Sequence, residues 1–270
     1  MNLAANEKSI GFIGAGIMGA SLIRGLLNSS IKANQIYISE KNLERATEVT
    51  SQFSVENLSL SQITQKCEVI FLSVKPQDLK NVLKEISGSL KNDALLISIA
   101  AGKTSNFIEG LLKSKNPVVR VMPNTPAQIG KGVSVISAGT FATKADLDLT
   151  KELLSSTGLV IEVEESQQDA VTAVSGSGPA YFFSFVESMI KSGVKLGLSE
   201  EIATKLAIGT IVGSAAMLQE SGIDAATLRK NVTSPNGTTA AALEVFSKKK
   251  LDDIINEAMT AAKKRSQELA

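Results

Sequence analysis

Along the first 165 residues, apolar positions fall in short unbroken runs divided by polar stretches of helical spacing. Ile10–Ile13 is the first run, and residues 35–39, 68–74, 94–99, 117–122, 132–137 and 159–163 follow. Runs of this length, rich in Val and Ile and bounded by turn residues, read as strands. Between them, residues 21–27, 43–52, 77–87 and 105–112 show the spacing of helices. Strands apolar on both faces that alternate with helices predict an α/β domain on a parallel, doubly wound sheet. From about Ser166 the strand-like runs stop. Long amphipathic segments replace them, at 167–195, 200–220, 225–230, 239–247 and 251–268. The pattern therefore divides the chain into an α/β domain at 1–165 and an all-helical domain at 166–270.

Local signals sharpen the helical half. Ser199 before Glu200 and Glu201, and Asp224 before Ala225, read as N-caps. Pro179, after Gly176-Ser177-Gly178, predicts a break in the first long segment. Ala203, Ala207, Gly209 and residues 213–216 make faces of small residues. Such faces allow close helix packing within one chain or against a second subunit. The second is favoured here, because a helical domain of about 100 residues with few aromatics covers itself poorly.

The first strand ends in Gly14-x-Gly16-x-x-Gly19 and runs straight into helical spacing, which is the dinucleotide-binding fingerprint of a Rossmann-type sheet. Gly14 permits a tight turn, Gly16 lets backbone approach a pyrophosphate, and Gly19 allows close helix–strand packing. Ile17 and Met18 complete the loop, and the helix N-terminus favours the phosphates. The bare motif also fits an ordinary glycine-rich turn. Small and polar residues gather after other strand ends, at Ser39-Glu40, Lys75-Pro76, Ala101-Gly102 and Asn124-Thr125, where ligands bind such sheets. Glu40, at the end of the second strand, suits a ribose 2′-OH and repels a 2′-phosphate. Lys41 beside it has the opposite effect, so NADPH and NADH both remain open as cofactors.

Composition narrows the chemistry. The 270 residues carry a formal net charge of +1, with 43% hydrophobic and 20% charged positions. That balance, with no basic run longer than residues 248–250, argues against nucleic acid as a partner. The first eight residues lack a basic start and an apolar core, and no apolar stretch approaches the roughly 20 residues of a membrane span. A cytoplasmic protein is the expectation. One cysteine, Cys67, excludes an internal disulfide and a multi-thiolate metal site. There is no histidine, so the commonest acid–base group and metal ligand is missing.

Three stretches go beyond composition. DAVTAVSGSGPAY at 169–181 places glycines and hydroxyls inside a helical run, which points to close backbone approach. RVMPNTPA at 120–127 leads a strand into a proline-fixed polar turn. VTSPNGTTAAALE at 232–244 opens a helix with Asn-Gly and two threonines, suited either to a carboxylate at its N–H groups or to a plain capped turn. With GFIGAGIMG at 11–19, FLSVKPQ at 71–77 and SIAAGKT at 98–104, the chain resembles the Δ1-pyrroline-5-carboxylate reductase family nearly end to end. One departure is Asn236, where the family loop usually has glycine; asparagine tolerates positive φ.

The resemblance implies hydride transfer from NADPH or NADH to a cyclic imine, giving L-proline. It also implies an all-helical domain that dimerises, with dimers commonly gathered into rings. By the motif match, Val74, Lys75, Pro76, Ala101, Gly102 and Asn124 flank the dinucleotide alongside Ser39, Glu40 and Lys41. Asn231, Thr238 and Thr239 contact substrate, backbone N–H groups from Gly237 onward take its carboxylate, and Glu165 lines its site. Thr239 is the residue placed beside the imine nitrogen. Two other readings stand beside this one. A β-hydroxyacid dehydrogenase shares the N-terminal layout but uses a helix lysine not identified here, and a non-enzymatic nucleotide-binding protein could keep the fold.

Overall fold

The computed structural model describes residues 7–269, so the expectation about a leader falls outside it except at Glu7 and Lys8. Strand β1 (Ile10–Ile13) is buried at all four positions and turns into α1 (Ile17–Asn28). Then follow β2 (Ile36–Ser39), α2 (Leu43–Phe53), β3 (Glu56–Asn57), α3 (Leu60–Lys66), β4 (Val69–Leu72) and α4 (Pro76–Ile86). Next come β5 (Leu95–Ser98), α5 (Ser105–Glu109), β6 (Val118–Met122), β7 (Gly132–Ala138), α6 (Lys144–Leu154) and β8 (Gly158–Glu162). The sheet order is β3-β2-β1-β4-β5-β6-β7-β8. The reversal of strand order at β1 and β4 makes this a doubly wound sheet, with its switch point beside the glycine-rich loop.

The parallel expectation needs one correction. Strands β1 to β6 are parallel, but β7 pairs antiparallel with β6, and β8 runs parallel to β7. Only residues 123–131 join β6 to β7, too few for a parallel crossover of a dozen residues or more. Three elements were not read from the sequence. β3 has two exposed residues and no apolar run, and α3 has only seven residues. α6 did carry a signal, since Thr143 and Asp146 cap it reciprocally.

Branched and aromatic side chains fill both faces of the sheet, and Phe12 stacks on Phe71 with ring centres 4.5 Å apart. Cys67 is a packing residue. A Cβ built on Gly11 would come within 2.9 Å of its Sγ, and burial pushes the thiol up to about 12.

Beyond the sheet, α7 (Gln168–Val171) leads into a π-turn at Thr172–Gly176, after which α8 (Gly178–Lys195) starts with Pro179 in its first turn. The expected break is there. α9 (Glu200–Glu220), α10 (Ala225–Asn231), α11 (Thr238–Lys248) and α12 (Leu251–Glu268) complete the chain. Ser199 and Asp224 cap α9 and α10 as expected, accepting from Ile202 N–H and Thr227 N–H. The chain forms two compact units: one runs to Ser177 and takes in residues from Ala262 onward, and the other is Gly178–Ala261.

In the second unit, α8 and α9 pack through Gly193, where a Cβ would lie 3.0 Å from that of Ala203. Gly209 and Gly213 meet nothing within 4 Å. The small-residue face therefore serves packing in its first part and is open in the rest. Large apolar side chains are exposed along both helices, including Phe182 at 63% and Phe183 at 66%. The expectation of no membrane-length stretch is corrected as well. By length and composition α9 is long and apolar enough to cross a bilayer. Between Glu201 and Glu220 its only charge is Lys205, and scattered Thr, Gly and Ser had disguised the run.

Candidate active site

The glycine-rich loop takes the shape its three glycines allow. Gly14 has φ +87°, and a Cβ there would lie 2.9 Å from the Ser73 carbonyl oxygen. Its N–H donates to the Ser39 carbonyl at 2.9 Å, which ties the loop to the end of β2. Gly16 is the N-cap of α1, exposed, with open space where a Cβ would stand. A Cβ on Gly19 would come 3.1 Å from the Gly14 carbonyl oxygen, so the first turn of α1 lies against the loop. Ile17 is exposed and Met18 half-buried. The buried Ser73 hydroxyl beside this loop has no hydrogen-bond partner.

Glu40 is held against the same loop. Its Oε2 accepts from Ala15 N–H at 2.8 Å and its Oε1 from Asn42 N–H at 2.9 Å, while Lys41 is exposed. Arg45, in α2, donates from Nε to the Ala15 carbonyl at 2.7 Å and pairs with Glu48. A carboxylate oxygen with one N–H donor keeps acceptor capacity, so this arrangement leaves Glu40 able to meet a ribose hydroxyl.

Further along the strand ends, Lys75 is the N-cap of α4 with Pro76 at its first position, and Val74 precedes them. Gly102 has φ +76° beside Ala101. The Asn124 amide is engaged by protein: Oδ1 accepts from Val133 N–H at 2.8 Å, and Nδ2 donates to the Ser175 carbonyl and hydroxyl, both at 3.3 Å. This places Asn124 as a bridge between β6, β7 and the π-turn. Gly176 is explained by the side chain of Met122, which lies where a Cβ would stand; Gly178 meets nothing within 4 Å.

Glu165 is tied on both oxygens. Ser105 N–H donates to Oε1 at 2.7 Å, the Ser105 hydroxyl donates to Oε2, and Arg120 lies 3.4 Å from Oε1. Arg120 is 5% exposed on β6 and also faces Asp169 at 3.8 Å. A charge so buried needs partners, since unpaired burial is costly.

In the second unit, Asn231 ends α10, and the turn that follows carries Asn236 at φ +59°. Asparagine does occupy the left-handed region where the resemblance would place glycine. Gly237 is the N-cap of α11 and has no side-chain cap, Thr238 is exposed and Thr239 is half-buried. The plain threonine-capped turn is thus not the arrangement found. Asn42, Ser59, Thr104, Thr143, Ser199 and Asp224 cap α2, α3, α5, α6, α9 and α10 by side chain. α1, α4 and α11 begin without such a cap. α7 also starts without one, but the uncapped starts of α1, α4 and α11 coincide with stretches singled out for ligand binding, and free N–H groups there are a ready anion site.

Comparison with known proteins separates the readings. Residues 165–269 match the pyrroline-5-carboxylate reductase dimerisation family, and residues 9–102 match the coenzyme F420-dependent NADP oxidoreductase family. The pyrroline-5-carboxylate reductase of Pseudomonas aeruginosa is 42% identical, over 97% of this chain and 96% of its own. A solved pyrroline-5-carboxylate reductase from Coxiella burnetii superposes with a TM-score of 0.91 at 34% identity, covering 98% of this chain and 99% of that one. The Plasmodium falciparum pyrroline carboxylate reductase, solved with NADP bound, gives 0.87 at 32% identity, with 98% of both chains covered. The chain belongs to the pyrroline-5-carboxylate reductase family.

Family membership removes the β-hydroxyacid dehydrogenase alternative. For a pyrroline-5-carboxylate reductase relative, several residues here had not been given a role from sequence. Arg45 donates to the glycine loop and the Ser73 carbonyl lies close against it, and Arg120, Ser105 and Asp169 surround Glu165. Arg120 alone carried a signal, as a lone cation in an apolar strand. The pairing of Ser105 with Glu165 spans 60 positions and has no local sign.

Proposed function

We propose that this chain reduces 1-pyrroline-5-carboxylate to L-proline with NADPH or NADH. The observation that carries this reading is full-length family membership, together with a glycine loop shaped for a dinucleotide. Gly14 at positive φ, the open side of Gly16 and the uncapped start of α1 all fit a pyrophosphate. When bound, the nicotinamide would supply a hydride to the imine carbon, C2 of the pyrroline ring, and the ring nitrogen gains a proton from solvent or substrate.

The chain's own groups do the rest. Gly14, Gly16, Ile17, Met18 and Gly19 hold the pyrophosphate. Ser39, Glu40 and Lys41 meet the adenosine ribose. Val74, Lys75, Pro76, Ala101, Gly102 and Asn124 flank the remainder of the dinucleotide. Backbone N–H groups of Gly237, Thr238 and Thr239 take the substrate carboxylate. The Thr239 hydroxyl donates to the ring nitrogen and orients it, with Asn231 and Glu165 beside the substrate. An alcohol is far too weak an acid to protonate an imine outright, so this is a polarising hydrogen bond.

The working form in this reading is a homodimer through the helices of residues 166–270, with larger rings of dimers built from it. A second copy, not lipid, covers the apolar side chains of α8 and α9, and the protein acts in the cytoplasm. NAD(P)H oxidation measured with 1-pyrroline-5-carboxylate, beside a hydroxy acid with NAD(P)⁺, tests the chemistry. Loss of NAD(P)H absorbance with stoichiometric proline is expected. No turnover with the imine would sink the proposal.

A further inference from the structure

Ser105 opens α5, three residues after Gly102. Its backbone N–H and hydroxyl both reach Glu165, whose carboxylate faces Arg120, which in turn faces Asp169. The relay ends at Ser266, near the end of α12, whose hydroxyl donates to Asp169 Oδ1 at 2.7 Å. Three residues on, Leu269 lies directly against Gly102. A Cβ built on Gly102 would come within 2.7 Å of Leu269 Cβ and 3.1 Å of its carbonyl carbon. The Gly102 loop is thus gripped twice: at Ser105 from one end of the relay, and at Gly102 by the turn that the other end holds.

We propose that residues 266–269 are a positioning element for the Ala101–Gly102 loop, fixing the conformation that meets the dinucleotide. The proposal rests on the reading of Ala101 and Gly102 as cofactor-flanking residues. Its physical basis is preorganisation. A glycine at φ +76° belongs to a flexible loop unless something confines it. A loop ordered beforehand does not pay that cost on binding. Arg120 is buried, so the relay works where little water competes for its charges. Ser266 and Leu269 are positioning residues and do not touch the reactants.

Ser266→Ala is the clean variant, because Asp169 still faces Arg120 and no buried charge is stranded. Leu269→Gly removes the side chain that closes on Gly102. NADPH affinity of the full chain is measured by fluorescence titration, with kcat and both KM values taken in parallel. Each variant should raise the NADPH Kd by about twofold to tenfold, the worth of one modest contact. At saturating NADPH, kcat and the KM for the imine should stay within about twofold, and Ser266→Thr should restore the Kd.

An unchanged Kd in both variants overturns the proposal. So does a loss spread equally over kcat and both KM values with a lowered Tm, which would mark general loosening. Ala101→Val separates the two layers. If it weakens NADPH while the other variants do not, only the positioning claim falls. If Ala101→Val also leaves the Kd unchanged, the reading of the loop falls and takes the proposal with it.

Discussion

The two units differ in how they treat their apolar side chains. In the sheet unit, β1, β4 and β5 are buried at every position, and Ile10, Phe12, Phe71 and Leu96 have no exposed surface. In Gly178–Ala261, α8 buries only Gly178, α9 only Ala203 and Ala207, and α10 and α11 bury nothing. Soluble monomers rarely expose contiguous apolar patches of this kind. The sheet unit closes its own core, whereas the helical unit is built to be completed by something else. Length and composition alone would let α9 enter a membrane, but the match of residues 165–269 to a dimerisation family points to a second copy.

The sharpest way to break that contrast is a charge on the open face. Phe183 is 66% exposed on α8, and Phe183→Asp would bury an unpaired carboxylate in the proposed dimer interface. Aromatic anchors at interfaces are worth about 2–4 kcal/mol or more, so dimer affinity should fall by at least about 30-fold. Activity should fall with it, since the proposed substrate loop at residues 231–239 belongs to the unit whose open face the proposed second copy would cover. Light scattering at micromolar concentration, with an assay on the same sample, reads both. A variant that stays dimeric and active would mean that the open face is not the interface.

A smaller effect is expected where the chemistry is assigned. Thr239→Val keeps the shape and removes the hydroxyl, so kcat should fall roughly 10-fold to 100-fold, at or below the lower end for acid–base groups. The KM for the imine should change less, because the bond is assigned to the transition state. Thr238→Val should matter less still, as that residue acts through its backbone. If Thr238→Val lost activity and Thr239→Val did not, the two roles would be reversed.

The same contrast explains what the sequence reveals. Glycines constrained by backbone geometry are legible where the motif marks them, as with the tight turn at Gly14 and the close packing at Gly19, whereas the positive φ of Gly102 is not. Helices of the second unit are legible to within a residue or two, since caps such as Ser199 and Asp224 act locally. Direction of β7 is not, because only the length of the link from β6 decides it. The relay from Ser105 to Ser266 is likewise hidden, since its members stand 60 and 97 positions apart. Asn124 is half-legible: its motif marks it, but its amide turns out to bridge Val133 and Ser175.

Cofactor choice is a property of the sheet unit alone in this reading. Glu40 accepts from Ala15 and Asn42 N–H groups, so Glu40→Ser would also loosen the glycine loop. Glu40→Gln keeps an acceptor and removes the charge that repels a 2′-phosphate. It should shift the NADPH to NADH ratio of kcat/KM toward NADPH by about threefold to tenfold, about 1 kcal/mol. Lys41 is a point charge, so it favours the phosphate less than a bidentate arginine would. A ratio that does not move would take Glu40 out of the cofactor site, while a change in dimerisation would show that the two units are coupled after all.

The smallest effect sharpens the comparison most. Cys67 lies in the core of the sheet unit beside Gly11 and Ile63, and burial pushes its thiol from 9.0 up to about 12. Only the thiolate reacts with disulfide reagents, so labelling at pH 8 requires the fold to open. If the sheet unit closes its own core, Cys67 should stay protected in the monomeric Phe183→Asp variant, with a labelling rate within about threefold of the wild type. The sign with pH is fixed by the direction of the shift. Well below pH 9 both folded and unfolded thiols are almost wholly neutral and little is gained or lost. As pH rises from about 9 toward 12, the unfolded thiol ionises first, so the fold loses stability and labelling accelerates through opening. Wild type and variant should follow the same curve in that window. Rapid labelling of the monomer at pH 8 would mean that the sheet unit also depends on the second copy, and the division between the two units would fail.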